Sequence, residues 1–175
     1  MKLYYFLIPI IILGCKTKTG TLKTSEGSVM ESSANKTDCP MEGTCSTEIY
    51  TNSTLEIVDE GSGRLYTQKV AGENIVVEFT YFKPGPVGTA DGNYTESIQF
   101  EVPSDVKNLN IKDGELSKVK LVFGKMGYRN ATFLPVLTGK LLYEKTGNTI
   151  FFALDFQLDG NSHEVSQIRE TVIME

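Results

Sequence analysis

Three cysteines and one histidine carry most of the chemistry this chain could perform: Cys15, Cys39, Cys45 and His163. A thiol can act as nucleophile, disulfide partner, acyl acceptor or soft-metal ligand. An imidazole can act as base or ligand. His163 sits in Asn161-Ser162-His163-Glu164, just past the turn dipeptide Asp159-Gly160. A nucleophilic triad needs a base that orients its nucleophile, and neither a Gly-x-Ser-x-Gly elbow nor a His-Glu-x-x-His helix motif occurs. His163 therefore reads as a surface residue beside a turn. Zinc would need four nitrogen or sulfur ligands, and the histidine lies far from the thiols. Asp91-Gly92-Asn93 and Asp59-Glu60-Gly61-Ser62-Gly63 lack the acid spacing of an EF-hand, and turn chemistry accounts for both. Paired carboxylates could hydrolyse a glycan, but nothing singles out a pair among the 22 acidic residues. The chain is expected to be no enzyme, with no catalytic residue, metal or cofactor.

Cys39 and Cys45 are the candidates for a disulfide. They bracket Pro40-Met41-Glu42-Gly43-Thr44, and Pro and Gly favour a tight turn that brings the sulfurs together. So short a closed loop contributes only about 2 kcal/mol on chain-entropy grounds. The competing use of the two thiols, with Met41 and Met30, is a Cu(I) site.

Cys15 has a different setting. Lys2 is followed by Leu3 to Leu13, eleven apolar residues without interruption. A spanning helix needs about 20 such residues, so this run fits the hydrophobic region of a secretory signal peptide. Ile12-Leu13-Gly14-Cys15 ends it, and a polar stretch follows at once. The tetrapeptide resembles the lipobox of bacterial lipoproteins, with Gly14 and Cys15 at its two most constrained positions. On this signal region and Cys15 alone, the chain resembles small Bacteroidota lipoproteins of the cell envelope. The resemblance implies cleavage after residue 14, acyl chains such as palmitate on Cys15, and a membrane anchor, with the outer membrane as the expected site. An exported chain also meets conditions in which disulfides persist.

Residues 16–37 are rich in Ser, Thr, Gly and Lys, with no apolar period. Such a segment cannot bury enough surface to offset the entropy of ordering. It is expected to be a flexible tether with a root-mean-square reach of roughly 25 Å. The organisation expected is thus a signal peptide at 1–14, a polar tether at 15–37 and one β domain at 38–175.

The 175 residues carry 17 basic and 22 acidic side chains, for a net charge of −5. Loss of residues 1–14 removes one Lys and leaves −6. No dense basic cluster appears, so nucleic acid is not an expected partner. Membrane contact is expected through the acyl chains, since the net charge gives no attraction to anionic lipid.

Beyond Cys45 the dominant period is two. Ile75, Val77, Phe79 and Tyr81 share one strand face; so do Ile98, Phe100 and Val102, then Val119, Leu121 and Phe123, then Ile150, Phe152, Leu154 and Phe156. Shorter candidates are 54–58, 64–70, 132–137, 139–144 and 165–173. Asp-Gly and Gly-Asn dipeptides punctuate them, and Thr146-Gly147-Asn148-Thr149 marks the clearest hairpin, within 140–158. The class predicted is all-β: an antiparallel β-sandwich of about eight or nine strands, or alternatively a small up-and-down barrel. Phe82 and Phe151, on second strand faces, are expected in the core between two sheets.

One connection stands out. Lys83 to Asn93 carries two Pro and three Gly, more than a hairpin needs. Long loops on a rigid scaffold often bear function. Tyr81, Phe82, Lys83, Pro86, Asp91 and Tyr94 are the candidate residues for gripping an unidentified protein or glycan partner. The turn around Tyr128 and Arg129 is a second candidate. The expected role is a membrane-anchored binding or accessory module of the cell envelope; the alternative is a lipocalin-like barrel carrying a small apolar ligand.

Overall fold

The structure is a computed structural model and describes residues 39–61, 63–89, 92–127 and 130–174. The chain divides into two units, Met1–Ser32 and Ser33–Glu175, and every described residue belongs to the second. Cys15, the expected signal peptide and the expected tether lie outside the described residues. So do Asp91, Tyr128 and Arg129.

The elements in chain order are β1 (Thr44–Asp59), β2 (Leu65–Ala71), β3 (Asn74–Lys83), β4 (Tyr94–Pro103) and β5 (Asn108–Lys112), a 3-10 helix (Asp113–Val119), then β6 (Val122–Gly127), β7 (Asn130–Pro135), β8 (Thr138–Thr146), β9 (Thr149–Gln157) and β10 (Gln167–Ile173). Two antiparallel sheets result, in the orders β2-β1-β3-β4-β6-β7 and β10-β9-β8-β5. The all-β class holds. The strand count rises from eight or nine to ten among the described residues, since Asn108–Lys112 pairs with β8 although only Leu109 and Ile111 are apolar there.

Alternation places the core as the sequence suggests. Ile75, Val77, Phe79 and Tyr81 of β3, with Ile98, Phe100 and Val102 of β4, face Leu141, Tyr143, Ile150, Phe152, Leu154 and Phe156 of the smaller sheet. Phe100 meets Phe152 edge-on at 5.5 Å, and Phe123 meets Phe156 at 6.1 Å. Burying each such ring stabilises the fold by roughly 1.5–3 kcal/mol. The β8–β9 hairpin closes through Thr146 opposite Thr149, with Gly147 supplying the positive φ its turn needs.

Leu116 to Phe123 is not one strand. Leu116 and Val119, three apart, are both buried from the 3-10 helix, which suits its three-residue turn. Lys120 then takes a left-handed conformation (φ 49°), and Leu121 donates its N–H to Leu116 C=O. The alternation of Val119, Leu121 and Phe123 spans the end of one element and the start of the next. Phe82 and Phe151 also depart from expectation: Phe82 is exposed and Phe151 half-buried. Their strand faces turn away from the opposing sheet, so the inter-sheet core has no room for them.

The larger sheet curls. A bulge between Tyr50 and Ser53, with Asn52 at φ 50°, bends β1. Beyond the bend, Ser53–Asp59 pairs with β2, and β2 comes close to β7 without pairing to it. The result is a sandwich whose larger sheet is nearly closed on itself. Its concave face, turned away from the smaller sheet, buries Leu55, Val76 and Val122 beside Ser97, Gln99 and Glu101.

Candidate functional site: the seam between β2 and β7

A nearly closed sheet has two edges that face each other, and here they are β2 and β7. Between them runs a groove of about 800 Å³, lined by Glu60, Arg64, Leu65 and Tyr66 on one side and by Met126 with 131–134 on the other. Volumes of this order match ordinary ligand clefts. Alternation along β7 puts Ala131 and Phe133 on the concave face, opposite Met126 and Gly124 of β6. Thr132 and Leu134 point to the other face, where a second hollow of about 410 Å³ is lined by Tyr94, Phe123, Lys125, Asn161 and the same two residues. β7 is thus an edge strand with a hollow on each face. Its backbone groups pair with β6 on one side only, among the described residues. The Phe133 ring keeps its place because Gly124 has no side chain: a Cβ there would stand 2.6 Å from Phe133 Cε1 and 2.5 Å from Ser97 Oγ.

A polar cluster joins Gln99 to β1, β2 and β3 outside the lining of this groove. Glu78 on β3 pairs with Lys69 on β2 and accepts from Gln99 Nε2 at 2.6 Å. The Tyr50 hydroxyl lies within reach of Glu48 and 3.3 Å from Glu78. The Lys69 ammonium stands 4.4 Å from the Tyr50 ring centroid, a cation–π contact. Glu48, first among the neighbours, raises the Tyr50 phenol well above its ordinary value by accepting its hydrogen bond. Gln99 Oε1 is buried without a partner.

Tyr94, which lines the second hollow, is held by Glu96, a fully buried carboxylate. Glu96 accepts the backbone N–H groups of Glu164 at 2.7 Å and Val165 at 2.9 Å, and the Tyr94 hydroxyl. These bonds satisfy the charge and fasten the β9–β10 connection to β4. Burial, then the bond to Glu96, raises the Tyr94 phenol. Lys125 lies 5.3 Å from the Tyr94 ring and donates to Ser162 C=O at 2.8 Å. His163 is half-buried, stacked on Phe156 at 5.4 Å and edge-on to Phe123 at 5.9 Å, with Nδ1 3.0 Å from Asn161 C=O. Its ring closes the aromatic core rather than standing free beside the turn.

The sequence-derived loop residues are spread over several roles. Tyr81 is buried in the core with its hydroxyl toward Met41 C=O, and meets Tyr94 edge-on at 6.4 Å. Tyr94 lines the second hollow. Phe82 and Pro86 are exposed, and Pro86 C=O accepts from Thr89 N–H and Oγ1 in a tight turn. Lys83 pairs with Glu42 at 2.6 Å. Cys39 and Cys45 form the disulfide, with their Cα atoms 5.8 Å apart. No group of three or more His, Cys, Asp or Glu side chains is arranged to hold a metal among the described residues. The seam itself has no sequence signature, since 132–137 reads as one more short strand, observed at Asn130–Pro135. Only closure of the sheet makes it an edge beside β2.

Comparison with known protein families, with curated proteins and with solved structures gives no match to this chain.

Proposed function

We propose that this protein is a non-catalytic binding module of the bacterial cell envelope, anchored by acyl chains on Cys15 at the outer membrane, that receives an extended segment of a protein partner along β7. The observation that carries this reading is the edge strand with a hollow on either face. Added strands bind through main-chain hydrogen bonds and read sequence through pockets for alternate side chains. Ala131 and Phe133 on one face, with Thr132 and Leu134 on the other, offer that alternation.

The curl of the larger sheet favours the barrel-carrier reading as the runner-up. An apolar cargo on the concave face would rest against Lys69, Glu78 and Gln99 as well as the buried Leu55. Burying those polar groups against hydrocarbon costs free energy, which weighs toward the peptide.

A photoreactive benzoylphenylalanine placed at Thr132 or Tyr66 of the full chain in its native envelope tests the proposal. Adducts of one defined mass at both positions, absent with the same group at Ile173, are expected, and digestion should place the crosslink in an unstructured or strand-forming stretch of the partner. Equal yields at all three positions would refute it. Co-purified lipid found by mass spectrometry after solvent extraction would transfer support to the carrier reading.

A further inference from the structure

We infer that the domain rests on the lipid surface through two turns at the end where the chain enters it. The first is the disulfide-closed turn Cys39–Cys45, and the second is the start of the connection after β3. They lie side by side, tied by the Glu42–Lys83 ion pair and by Tyr81 reaching Met41 C=O. Each lifts one apolar side chain into solvent: Met41 is 90% exposed and Val87 fully exposed. Phe82, also exposed, stands at the end of β3 beside them. Apolar side chains clustered at turn tips gain free energy by entering the headgroup–acyl boundary, where an exposed surface does not.

The occupant follows from where the described chain begins. Cys39 stands 24 residues from Cys15 and opens the first of these turns. If the segment behaves as the flexible tether expected from its composition, its root-mean-square span is roughly 25 Å. At so high an effective concentration even a weak contact is occupied. The Glu42–Lys83 pair leaves no net charge between the turns, which suits zwitterionic headgroups. Ile173, paired with Thr149 at the end of β10 away from Gln167, serves as the control position. The inference rests on acylation of Cys15.

The chain has no Trp, so one introduced indole reports a single position. The full acylated chain would be reconstituted into phosphatidylcholine vesicles as Met41→Trp, Val87→Trp and Ile173→Trp; all three positions are exposed, so folding is not at stake. The expected result is blue-shifted emission and loss of intensity with brominated phosphatidylcholine for the first two, and neither for the third. If all three variants float with the vesicles while Val87→Trp and Met41→Trp emit as Ile173→Trp does, the docking inference is overturned and the anchor stands. If none floats, the anchor fails and the inference falls with it.

Discussion

Glu101 and Lys120 form an ion pair at 2.8 Å that brackets the Leu55 peptide. Glu101 Oε2 accepts the Leu55 N–H at 2.8 Å, and Lys120 Nζ donates to the Leu55 C=O at 2.8 Å. Past Ser53 no described strand lies on that side of β1, so two side chains supply the acceptor and donor that a neighbouring strand would have given. The pair thereby holds the bent half of β1 over the concave face and brings β2 to β7.

Glu101→Ala should therefore be the costly change, since it strips a buried N–H of its acceptor and takes the carboxylate from Lys120. A loss of about 2–4 kcal/mol is expected in urea unfolding. Glu101→Gln keeps an acceptor and should lose about half as much. An unchanged midpoint for Glu101→Ala would mean that the bracket does not hold β1.

Glu96 should govern the β9–β10 connection. Glu96→Ala removes the acceptor of two backbone N–H groups, with an expected cost of about 2–3 kcal/mol. Amide exchange at Glu164 and Val165 should accelerate more than at Ile150 or Phe152 in β9. Uniform acceleration would show that Glu96 supports the fold as a whole and has no special hold on this connection.

Among the described residues four phenols are raised above their ordinary value of 10: Tyr50 chiefly through its bond to Glu48, and Tyr81, Tyr94 and Tyr143 chiefly through burial, which pushes Tyr143 to about 12. The folded state thus prefers the neutral phenol. Its contribution is complete below pH 10 and declines as the pH climbs from there toward the folded-state values, because the unfolded chain ionises first. An ultraviolet titration should show these tyrosines ionising late and together with unfolding. Tyr143→Phe should narrow that late phase and also spare a buried hydroxyl that has no partner. Ionisation of every tyrosine near pH 10 in folded protein would contradict the burial of these rings.

Reduction of Cys39–Cys45 should lower stability by about 2 kcal/mol, as expected for so short a loop. The larger effect should be local. Gly43 packs where a Cβ would lie 2.1 Å from Tyr81 Cε2, so the closed turn sits tightly on that ring. Reduction should free the turn and raise amide exchange at 41–44, with the β8–β9 hairpin unaffected. Identical exchange in both redox states would remove any ordering role for the bridge.

Much of the sheet structure could be read from the chain because a strand half-buried between layers writes its burial as a two-residue period. Phe79 and Phe152 face the core for that reason, and Gly147 marks its hairpin because few residues tolerate a positive φ. The disulfide is expected from spacing, turn chemistry and the export that the signal region implies, against a Cu(I) site as the alternative, and it is present. The period fails where burial is not set by the opposing sheet. Gln99 and Glu101 fall between the apolar positions of β4, yet both are buried because the sheet curls over them, and Leu116 to Phe123 alternates across the junction of a 3-10 helix and a strand. Pairing across long sequence separations decided the rest. The closeness of β2 to β7, the carboxylate that stands in for a strand beside Leu55, and the burial of Glu96 each depend on residues more than 40 positions apart. Local sequence governs which way a side chain points along its own strand, and only the closing of the sheet determines what it meets there.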